Sequence, residues 1–391
     1  MKKILIISNK PIIPSLDGGA LAIKKLAAML LKMKHSVDLI AISKKNNTSK
    51  SLFVKKTNPL KNLNYILFQL NMSFNIKVFL RSIMNHQSYQ ANRFYNKKIK
   101  NFIQKKINEN NYDFIVFESI FSVVYLNHLI LNKNIKTILR THNIEHKIWL
   151  DLSSNTTNVI KKILYYFLSF QIEIIEKNIT KKIDNIITIS ETDSEYFKTK
   201  YPLKTKYIPV TFDIEQNHTK KIARSIVHLG SMDWKPNIEG INWFINYVYP
   251  LIKNDNIKIF VAGKKMPNKL LETKYKNLFI EGKVENAKKY ISNKQILFVP
   301  LFSGSGIRIK ILESMALGIP VVSTSIGAEG IPYTNKLDIL IANTPKEFKE
   351  SIKILINDSN FASNIGNNGR KLIQDNFSTH YAIKRMKDII K

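Results

Sequence analysis

The chain has 391 residues, 44% of them hydrophobic, and is long enough to form two ordinary domains with packed cores. It contains no cysteine, which excludes disulfide bonds and thiolate metal sites. The formal net charge of +32 favours anionic partners. Because no nucleic-acid recognition motif accompanies that charge, we expect it to act on anionic surfaces and not on nucleic acid.

The chain begins with an alternation of strands and helices. A strand is predicted at residues 2–8 because they contain the uninterrupted apolar run 4–7, which is typical of a buried parallel strand. A glycine-containing loop follows, then a helical pattern over about 20–34 and a second strand at 35–40. This order is typical of the first unit of a doubly wound α/β domain.

Residues 44–110 interrupt the alternation. Between Lys44 and Lys106 there are fourteen Lys or Arg residues and no Asp or Glu. The pattern predicts two or three inserted amphipathic helices, which either bind a membrane surface with anionic lipid or cover an ordinary core with a solvated face. No apolar run is long enough for a signal-peptide core or a membrane span. We therefore expect a cytoplasmic protein in which this segment is a candidate contact to the inner face of the cell membrane.

A group of polar residues follows a later strand of the first half. Strands are predicted at 112–118 and 136–141, and His142, Asn143 and Glu145 come directly after the second. Parallel α/β sheets bind ligands at the carboxyl ends of their strands, so His142 is a candidate functional residue. The alternative is a histidine with a purely structural role.

The rest of the first half contains a long helix and two strands. The helix is predicted over 159–182, and its apolar and aromatic residues are expected to pack in the core. Strands at 185–190 and 207–210 complete this half, and a polar linker follows at 213–221.

The second half repeats the alternation, with strands predicted at 226–229, 257–262 and 277–282. Its most informative segment begins with an apolar strand at 296–301 and a loop of small residues at 303–306. A helical pattern follows, Gly318 is placed to end the helix, and the next strand is predicted at 321–324.

A strand, a glycine loop and a helix in this order suit a diphosphate. Backbone N–H groups and the positive end of the helix dipole meet at one point, and Arg308 and Lys310 in the first helical turn add two positive charges. The alternative is an ordinary tight turn. In that case Lys310 and Glu313 would be a solvated surface pair worth ~0.3 kcal/mol.

The string GSGIRIKILESMALGIPVVST, residues 304–324, resembles the donor-site segment of glycosyltransferase family 4, the retaining enzymes with two Rossmann-like domains. The resemblance implies that Glu313 binds the ribose hydroxyls of a nucleotide-sugar and that Arg308 and Lys310 hold its diphosphate. The usual family motif is E-x7-E, and Ser305 stands where the first Glu is expected. A subgroup carries this loop instead, so sugar contacts are expected from the loop Gly304, Ser305, Gly306 and Ile307. A degenerate, inactive copy is the alternative.

Other segments extend the resemblance. Residues 230–240 match a "GSMDWxPNxxG" variant seen in polysaccharide synthesis, in which Met232 replaces the usual diphosphate-binding Arg. The diphosphate charge then depends more on Arg308 and Lys310, which with His142 are the catalytic candidates. In the family, the residue at the His142 position lies near the transferred sugar. The remaining donor-binding candidates are Gly18, Gly19, Gly230, Ser231, Asn237 and, near the base, Val284.

The resemblance implies an α/β fold with two doubly wound Rossmann-like domains facing across a cleft, the GT-B architecture. Residues 1–212 would form the acceptor-binding domain and residues 213–376 the nucleotide-sugar-binding domain. Residues 377–391 would form a terminal helix that crosses back to the first domain.

The implied function is retaining transfer of a sugar from a nucleotide-sugar to a glycan or lipid-linked acceptor in bacterial surface polysaccharide synthesis. Neither a metal nor another cofactor is expected, because the nucleotide-sugar is a co-substrate and basic groups neutralise its diphosphate. Two alternatives remain open. One is a nucleotide-sugar epimerase on the same scaffold. The other is a non-catalytic protein that binds nucleotide-sugars or anionic surfaces, which the missing first Glu and the high charge suggest.

Overall fold

The computed structural model describes residues 1–13, 17–44, 53–57, 60–73, 75–84, 88–154, 156–214, 219–272, 275–304 and 306–391, without the side chains of 53–57, 78, 80, 81 and 83. The chain divides into two compact units. Unit 1 comprises Met1–Val210 with Ala382–Lys391, and unit 2 comprises Thr211–Tyr381.

Unit 1 is built on an eight-stranded sheet. Its strands are β1 (Lys3–Ser8), β2 (Ser36–Lys44), β3 (Phe53–Thr57), β4 (Leu63–Leu70), β5 (Phe114–Glu118), β6 (Lys136–Thr141), β7 (Asn185–Thr188) and β8 (Thr205–Tyr207). The spatial order is β3-β4-β2-β1-β5-β6-β7-β8. All neighbours are parallel except β3, which pairs antiparallel with β4 at the edge.

Helices cover both faces of this sheet, because both faces of its central strands are apolar. The helices are α1 (Gly18–Lys32), α2 (Ile76–Met84), α3 (Tyr89–Asn92), α4 (Lys97–Glu109), α5 (Glu145–Ser154), α6 (Val159–Lys182) and α7 (Glu191–Lys200). Ile4 and Ile6 of β1 lie in one core cluster with α1, while Leu5 and Ile7 lie in another with α4. The alternation along one strand therefore divides the core into two layers.

Unit 2 has a six-stranded parallel sheet with the order β11-β10-β9-β12-β13-β14. Its strands are β9 (Ser225–Leu229), β10 (Lys258–Ala262), β11 (Leu278–Glu281), β12 (Ile296–Val299), β13 (Val321–Ser323) and β14 (Leu340–Ile341). Its helices are α8 (Lys235–Trp243), α9 (Tyr249–Ile252), α10 (Asn268–Leu271), α11 (Ala287–Ser292), α12 (Ile309–Ala316), α13 (Pro345–Asn357) and α14 (Ser359–Phe377). The last helix, α15 (Thr379–Met386), ends in unit 1, where Ala382 and Met386 join the core.

Two doubly wound α/β units with parallel sheets confirm the predicted fold class. In unit 1 the chain changes direction across the sheet between β1 and β5, and in unit 2 it does so between β9 and β12. Loops diverge at such switch points and leave a crevice at the carboxyl ends of the strands. In unit 2 the predicted residues follow β9 and β12 at this point, and in unit 1 His142 follows β6, the strand next to β5.

The prediction of inserted amphipathic helices over 44–110 is wrong for its first half. Residues 63–70 form β4, a buried strand that pairs in parallel with β2 along its whole length, and 53–57 form the edge strand β3. The apolar run Tyr65–Phe68 is too short for its periodicity to distinguish a buried strand from a helix. The segment does contain α2, α3 and α4, and α4 buries Ile99, Ile103 and Ile107 in the core.

The prediction that α6 packs in the core is also wrong for its first half. Ile163 is 66% exposed and Phe170 is 53% exposed, although both belong to the apolar pattern from which burial was inferred. The helix is apolar over more of its circumference than its neighbours cover, and an apolar pattern does not show how much of it is covered.

Among the described residues, no helix is long and apolar enough to cross a membrane.

Candidate donor-binding site

In unit 2 the candidate site lies where β9 and β12 end. Gly230 and Ser231 follow β9, and the loop after β12 leads into α12. Gly304 in that loop has φ +97°, and a Cβ on it would lie 2.6 Å from the Trp234 ring. Only glycine fits this close approach of backbone to indole. The loop is thereby held against the segment that begins α8.

Arg308 is the N-cap residue of α12 and is 6% exposed. Its Nη1 donates a hydrogen bond to the carbonyl oxygen of Gly306. Its guanidinium carbon lies 5.1 Å from the Trp234 ring centroid, within cation–π range. Burial lowers the pKa of Arg308 to about 10, and Glu329 opposes this shift. The guanidinium therefore remains charged at neutral pH and is held at the positive end of the helix dipole.

Lys310 lies half-buried in the first turn of α12. Its Nζ donates to Asn237 Oδ1 at 3.0 Å and lies 3.5 Å from His228 Nε2. The other ring nitrogen of His228 is 3.1 Å from the Phe298 carbonyl, which can only accept, so Nδ1 carries the proton and Nε2 faces Lys310 as an acceptor. Among the described residues, Lys310 Nζ thus has neutral partners.

Because neither partner is an anion, neither offsets the cost of burying a positive charge on Lys310. Burial, followed by repulsion from Arg308, lowers the pKa of Lys310 to about 7. Burial also lowers the pKa of His228 well below its ordinary value, with the Lys310 charge as the next cause. The imidazole therefore stays neutral. An anion placed between Arg308 and Lys310 would offset both the burial of the Lys310 charge and its repulsion from Arg308.

Asn237 joins the two sides of this site. It is 4% exposed, and its Nδ2 donates to the Ser231 carbonyl at 2.8 Å while its Oδ1 accepts from Lys310. A Cβ on Gly230 would lie 2.7 Å from the Asn237 amide, so a side chain there would displace it. Gly230, Ser231, Asn237, Arg308 and Lys310, all predicted from sequence, are therefore brought together. Their roles toward a ligand stay predictions.

The remaining unit 2 candidates are less directly placed. Glu313 lies on α12 three residues after Lys310 and is partly exposed, and Ile307 precedes the helix and is also partly exposed. Val284 lies in the loop after β11. Met232, which replaces the usual Arg, packs in the core. Ser305 lies outside the described residues.

In unit 1, His142 lies at the carboxyl end of β6 and is held by a buried carboxylate. Its Nε2 is 2.7 Å from Glu118 Oε2, and Arg140 Nη1 donates to both oxygens of Glu118, at 3.0 and 3.2 Å. Glu118 ends β5 and pairs in register with Arg140 on β6. A carboxylate only accepts, so Nε2 carries the proton and Nδ1 is the acceptor nitrogen of the neutral ring.

The electrostatics keep this group in one charge state. Burial alone would raise the pKa of Glu118, but Arg140 and His142 outweigh it and lower that pKa. Burial lowers the pKa of His142, and Glu118 only partly offsets the shift. At neutral pH the group is therefore an ionised Glu118 between the Arg140 cation and a neutral imidazole. Sequence reasoning missed Glu118, and the available signal was an acidic residue ending a fully buried strand next to the strand of His142.

A second buried carboxylate group adjoins the first. Glu176 accepts from the Glu145 backbone N–H at 2.9 Å and lies 2.5 Å from His146 Nδ1, and so it fixes the start of α5. Burial and then Glu176 raise the pKa of Glu145 to about 7. Glu145 and Glu176 line a small pocket with His142, Asn143 and residues at the ends of β5 and β6.

Gly18 and Gly19 occupy the first turn of α1, where backbone N–H groups lack helical acceptors. Asp17 caps this helix by accepting from the Ala20 N–H at 2.9 Å, and Lys10 Nζ forms a 3.0 Å ion pair with Asp17. A Cβ on Gly19 would lie 2.9 Å from that Nζ.

Among the described residues, no cluster of His, Asp or Glu has the arrangement of a metal site.

Comparison with known proteins agrees with this architecture. Residues 223–358 match the family model for glycosyl transferases group 1. A protein from the cps region of Klebsiella pneumoniae is 24% identical over 394 residues, covering 97% of each chain.

Solved structures agree over the whole chain. Sucrose-phosphate synthase from Thermosynechococcus elongatus has a TM-score of 0.70 at 14% identity, covering 100% of this chain and 98% of that one. A point mutant of TarM from S. aureus, in complex with Fondaparinux, alpha-GlcNAc-glycerol and UDP, has a TM-score of 0.68 at 12% identity, covering 100% and 99%. The chain is a glycosyltransferase with the GT-B fold, and residues 223–358 carry its group 1 glycosyltransferase domain.

Proposed function

We propose that the protein is a retaining glycosyltransferase that transfers a sugar from a nucleotide-sugar to a glycan or lipid-linked acceptor in bacterial surface polysaccharide synthesis. The observation that carries the proposal is the pair of desolvated basic side chains, Arg308 and Lys310, at the N-terminus of α12. A diphosphate fits this pair because it presents several anionic oxygens close together. The match of unit 2 to a glycosyltransferase family supports transfer over epimerisation.

The chemistry follows from this charge arrangement. The bond between the anomeric carbon and the diphosphate oxygen breaks, and a new bond forms from an acceptor hydroxyl on the same face of the sugar. The acceptor proton passes to the leaving diphosphate, so no protein nucleophile is required. Arg308, protonated Lys310 and the α12 N–H groups stabilise the charge that develops on the leaving group. His142 contacts the transferred sugar and is oriented by Glu118.

The biological role rests on the relative from the cps region of K. pneumoniae, which is similar over nearly its whole length. The TarM structure contains UDP, so a uridine diphosphate sugar is the first donor to test. No metal is proposed, because basic side chains and a helix N-terminus occupy the place where the diphosphate charge would be met.

A donor screen followed by product analysis tests this function. Thermal shift with a panel of nucleotide-sugars should identify the donor, since a ligand at ~100 times its dissociation constant stabilises the folded state by ~2.7 kcal/mol. Incubation with that donor and lipid-linked acceptors should yield a glycoside whose anomeric configuration matches the donor by NMR. An epimerised nucleotide-sugar would establish the alternative enzyme, and an inverted product would contradict retention.

Glu313→Ala should weaken binding of the selected donor by ~1.5–3 kcal/mol, because charge-assisted hydrogen bonds to the ribose hydroxyls are lost. Isothermal titration calorimetry measures this change. Glu350→Ala, at an exposed position of α13 in the same unit, is the matched control and should bind normally. Equal affinities for the two variants would remove Glu313 from the site.

His142→Asn should lower turnover by roughly 10²-fold with little change in donor affinity, within the range for losing one preorganised hydrogen-bonding group to the reacting sugar. His146→Asn is the matched control, because His146 lies only four residues after His142 and is also hydrogen-bonded to a buried glutamate, Glu176. That variant should lose thermal stability but retain most of its turnover. If both variants lose stability and turnover in parallel, His142 has only a structural role.

A further inference from the structure

The first half of α6 exposes a continuous apolar face on unit 1. Six large apolar or aromatic side chains contribute to it, with exposed fractions between 38% and 79%. We call this surface the α6 face; it consists of Val159, Ile160, Ile163, Leu164, Tyr166 and Phe170. Isolated exposed apolar residues need no explanation, but a contiguous patch on one helix marks a contact with something else.

The spacing shows that this face is directed away from the rest of unit 1. Val159, Ile163, Tyr166 and Phe170 are separated by four, three and four residues and therefore lie on one side of the helix. Leu168 on the opposite side is buried, so α6 is anchored by one side and exposed on the other.

The neighbouring helix α5 also exposes apolar side chains, although Leu150 and Leu152 point to opposite sides of it. Its Leu150 and Leu152 are 39% and 38% exposed. The Trp149 ring packs against Tyr165 of α6 with 5.8 Å between centroids, so an aromatic contact joins the two helices. A surface with both aliphatic and aromatic side chains is typical of contact with the polar–apolar boundary of a bilayer.

Basic residues outnumber acidic residues around the face, although Glu173 follows Phe170 by three positions. Between residues 147 and 172 there are three lysines, Lys147, Lys161 and Lys162, and one acidic residue, Asp151. All three lysines are exposed. Lysines beside an apolar face attract anionic lipid headgroups while the apolar residues enter the boundary region.

The lysine-rich segment predicted to contact the membrane lacks such a face on α4. Ile99, Ile103 and Ile107 of α4 are in the core, which leaves Lys97 and Lys98 exposed without an apolar surface beside them. Charge alone gives weak, screened attraction. Of these two basic helices, only α6 combines charge with exposed apolar area.

We propose that the α6 face binds unit 1 to an anionic lipid surface, with α6 lying along the boundary between headgroups and acyl chains. The partner is a bilayer with anionic lipid. The face belongs neither to the site at Arg308 and Lys310 nor to the group around His142, so the proposal does not depend on the proposed enzymatic function.

Co-sedimentation of the full chain with vesicles tests the proposal. Binding to phosphatidylcholine vesicles containing phosphatidylglycerol should exceed binding to pure phosphatidylcholine and should fall with salt. Ile163→Ser with Phe170→Ser should reduce the partition coefficient by about tenfold or more, because two apolar contacts are lost.

Matched controls separate this face from general charge. Lys161→Glu with Lys162→Glu should abolish most binding, whereas Lys97→Glu with Lys98→Glu on α4 makes the same charge change and should retain most of it. Ile130→Ser alters an apolar residue that is 78% exposed elsewhere on unit 1 and should bind as wild type. Thermal unfolding confirms that each variant folds.

Two results would overturn the proposal. Equal loss in the α4 and α6 charge variants would mean that net charge alone attracts the protein to vesicles. A dimer in light scattering that Ile163→Ser with Phe170→Ser dissociates, together with no vesicle binding by the wild type, would identify the α6 face as a contact between protein copies.

Discussion

Lys310→Met should lower affinity for the donor nucleotide-sugar by roughly 10²-fold at pH 6.5 and should remove most of the pH dependence of binding. The wild-type Nζ has a pKa of about 7 because it is desolvated and lies near Arg308. At pH 6.5 it is mostly protonated and offers a charge-assisted hydrogen bond to the diphosphate, worth ~1.5–3 kcal/mol. Methionine retains a similar volume without the charge.

The sign of the pH effect follows from the shifted pKa of Lys310. A bound diphosphate favours the charged form, so the pKa of Lys310 rises on binding. Below pH 7 the side chain is already charged and binding takes up little proton. Above pH 7 binding must take up a proton, and affinity should fall by up to about tenfold per pH unit until the pKa of the bound state is reached.

Calorimetry in buffers of different ionisation enthalpy measures this proton uptake. The ligand should be the intact nucleotide-sugar, because its diphosphate is esterified at both ends and lacks the ionisation near pH 6 of a terminal phosphate. At pH 8 the wild type should take up close to one proton per donor bound, and Lys310→Met close to none. Uptake of the same size in both proteins would assign the proton to another group.

The same shift has an opposite consequence for the stability of the ligand-free protein. The pKa of Lys310 is about 7 in the folded state, against an ordinary value of 10.5, so the unfolded chain binds more protons between these pH values. Wild-type stability should therefore rise relative to Lys310→Met as pH rises from 7 to 9. A difference in thermal midpoint that does not change over this window would contradict a lowered pKa.

Much of the fold was predictable from the sequence because parallel strands buried on both faces are continuous apolar runs. Such runs predict β1 and β12, and β6 has the predicted bounds although only Ile138 and Leu139 in it are apolar. The helix start at Arg308 and the stop at Gly318 follow from local chemistry, since Gly318 adopts φ +68° where the helix ends. Local signals of this kind do not depend on what packs nearby.

The errors have a common physical cause. The strand β4 and the exposed half of α6 are both apolar segments whose outcome depends on neighbours distant in sequence. Tyr65–Phe68 is a strand because β2 offers it a parallel partner, and α6 is half exposed because its neighbours cover one side only. A pattern shows which residues are apolar but does not identify the surface that covers them.

The hydrogen-bond partners of the predicted site residues could not be predicted from the sequence either. Lys310 was identified by its position, but the acceptors that hold it, Asn237 and His228, come from segments more than seventy residues away. The same holds for His142 and Glu118, which meet because β5 and β6 are adjacent in register. Sequence motifs identify candidate ligand-binding residues, whereas the residues that orient them are found only once the strands are paired.

Arg308→Lys should lower turnover by roughly 10²-fold although it conserves charge, within the range for losing one preorganised donor to a developing anion. Arg308 is held by three features: the Gly306 carbonyl, the Trp234 ring and its position as N-cap of α12. Lysine cannot reproduce the planar fork that binds two phosphate oxygens, and it stacks less well on an indole. Charge on the diphosphate increases as the sugar bond breaks, so the loss should be larger in turnover than in nucleotide affinity.

Arg224→Lys is the matched control for this substitution. Arg224 belongs to the same unit but lies just before β9, at the amino end of that strand, where its guanidinium donates to Asn357 and to the Asp255 carbonyl. The control should therefore keep its turnover even if it loses some stability. Steady-state rates with the identified donor, together with donor affinity, distinguish the outcomes. In our proposal a bidentate group at residue 308 stabilises the diphosphate. Wild-type turnover in Arg308→Lys would therefore mean that other groups stabilise the leaving-group charge. The proposed role of the α12 N-terminus would then have to be abandoned.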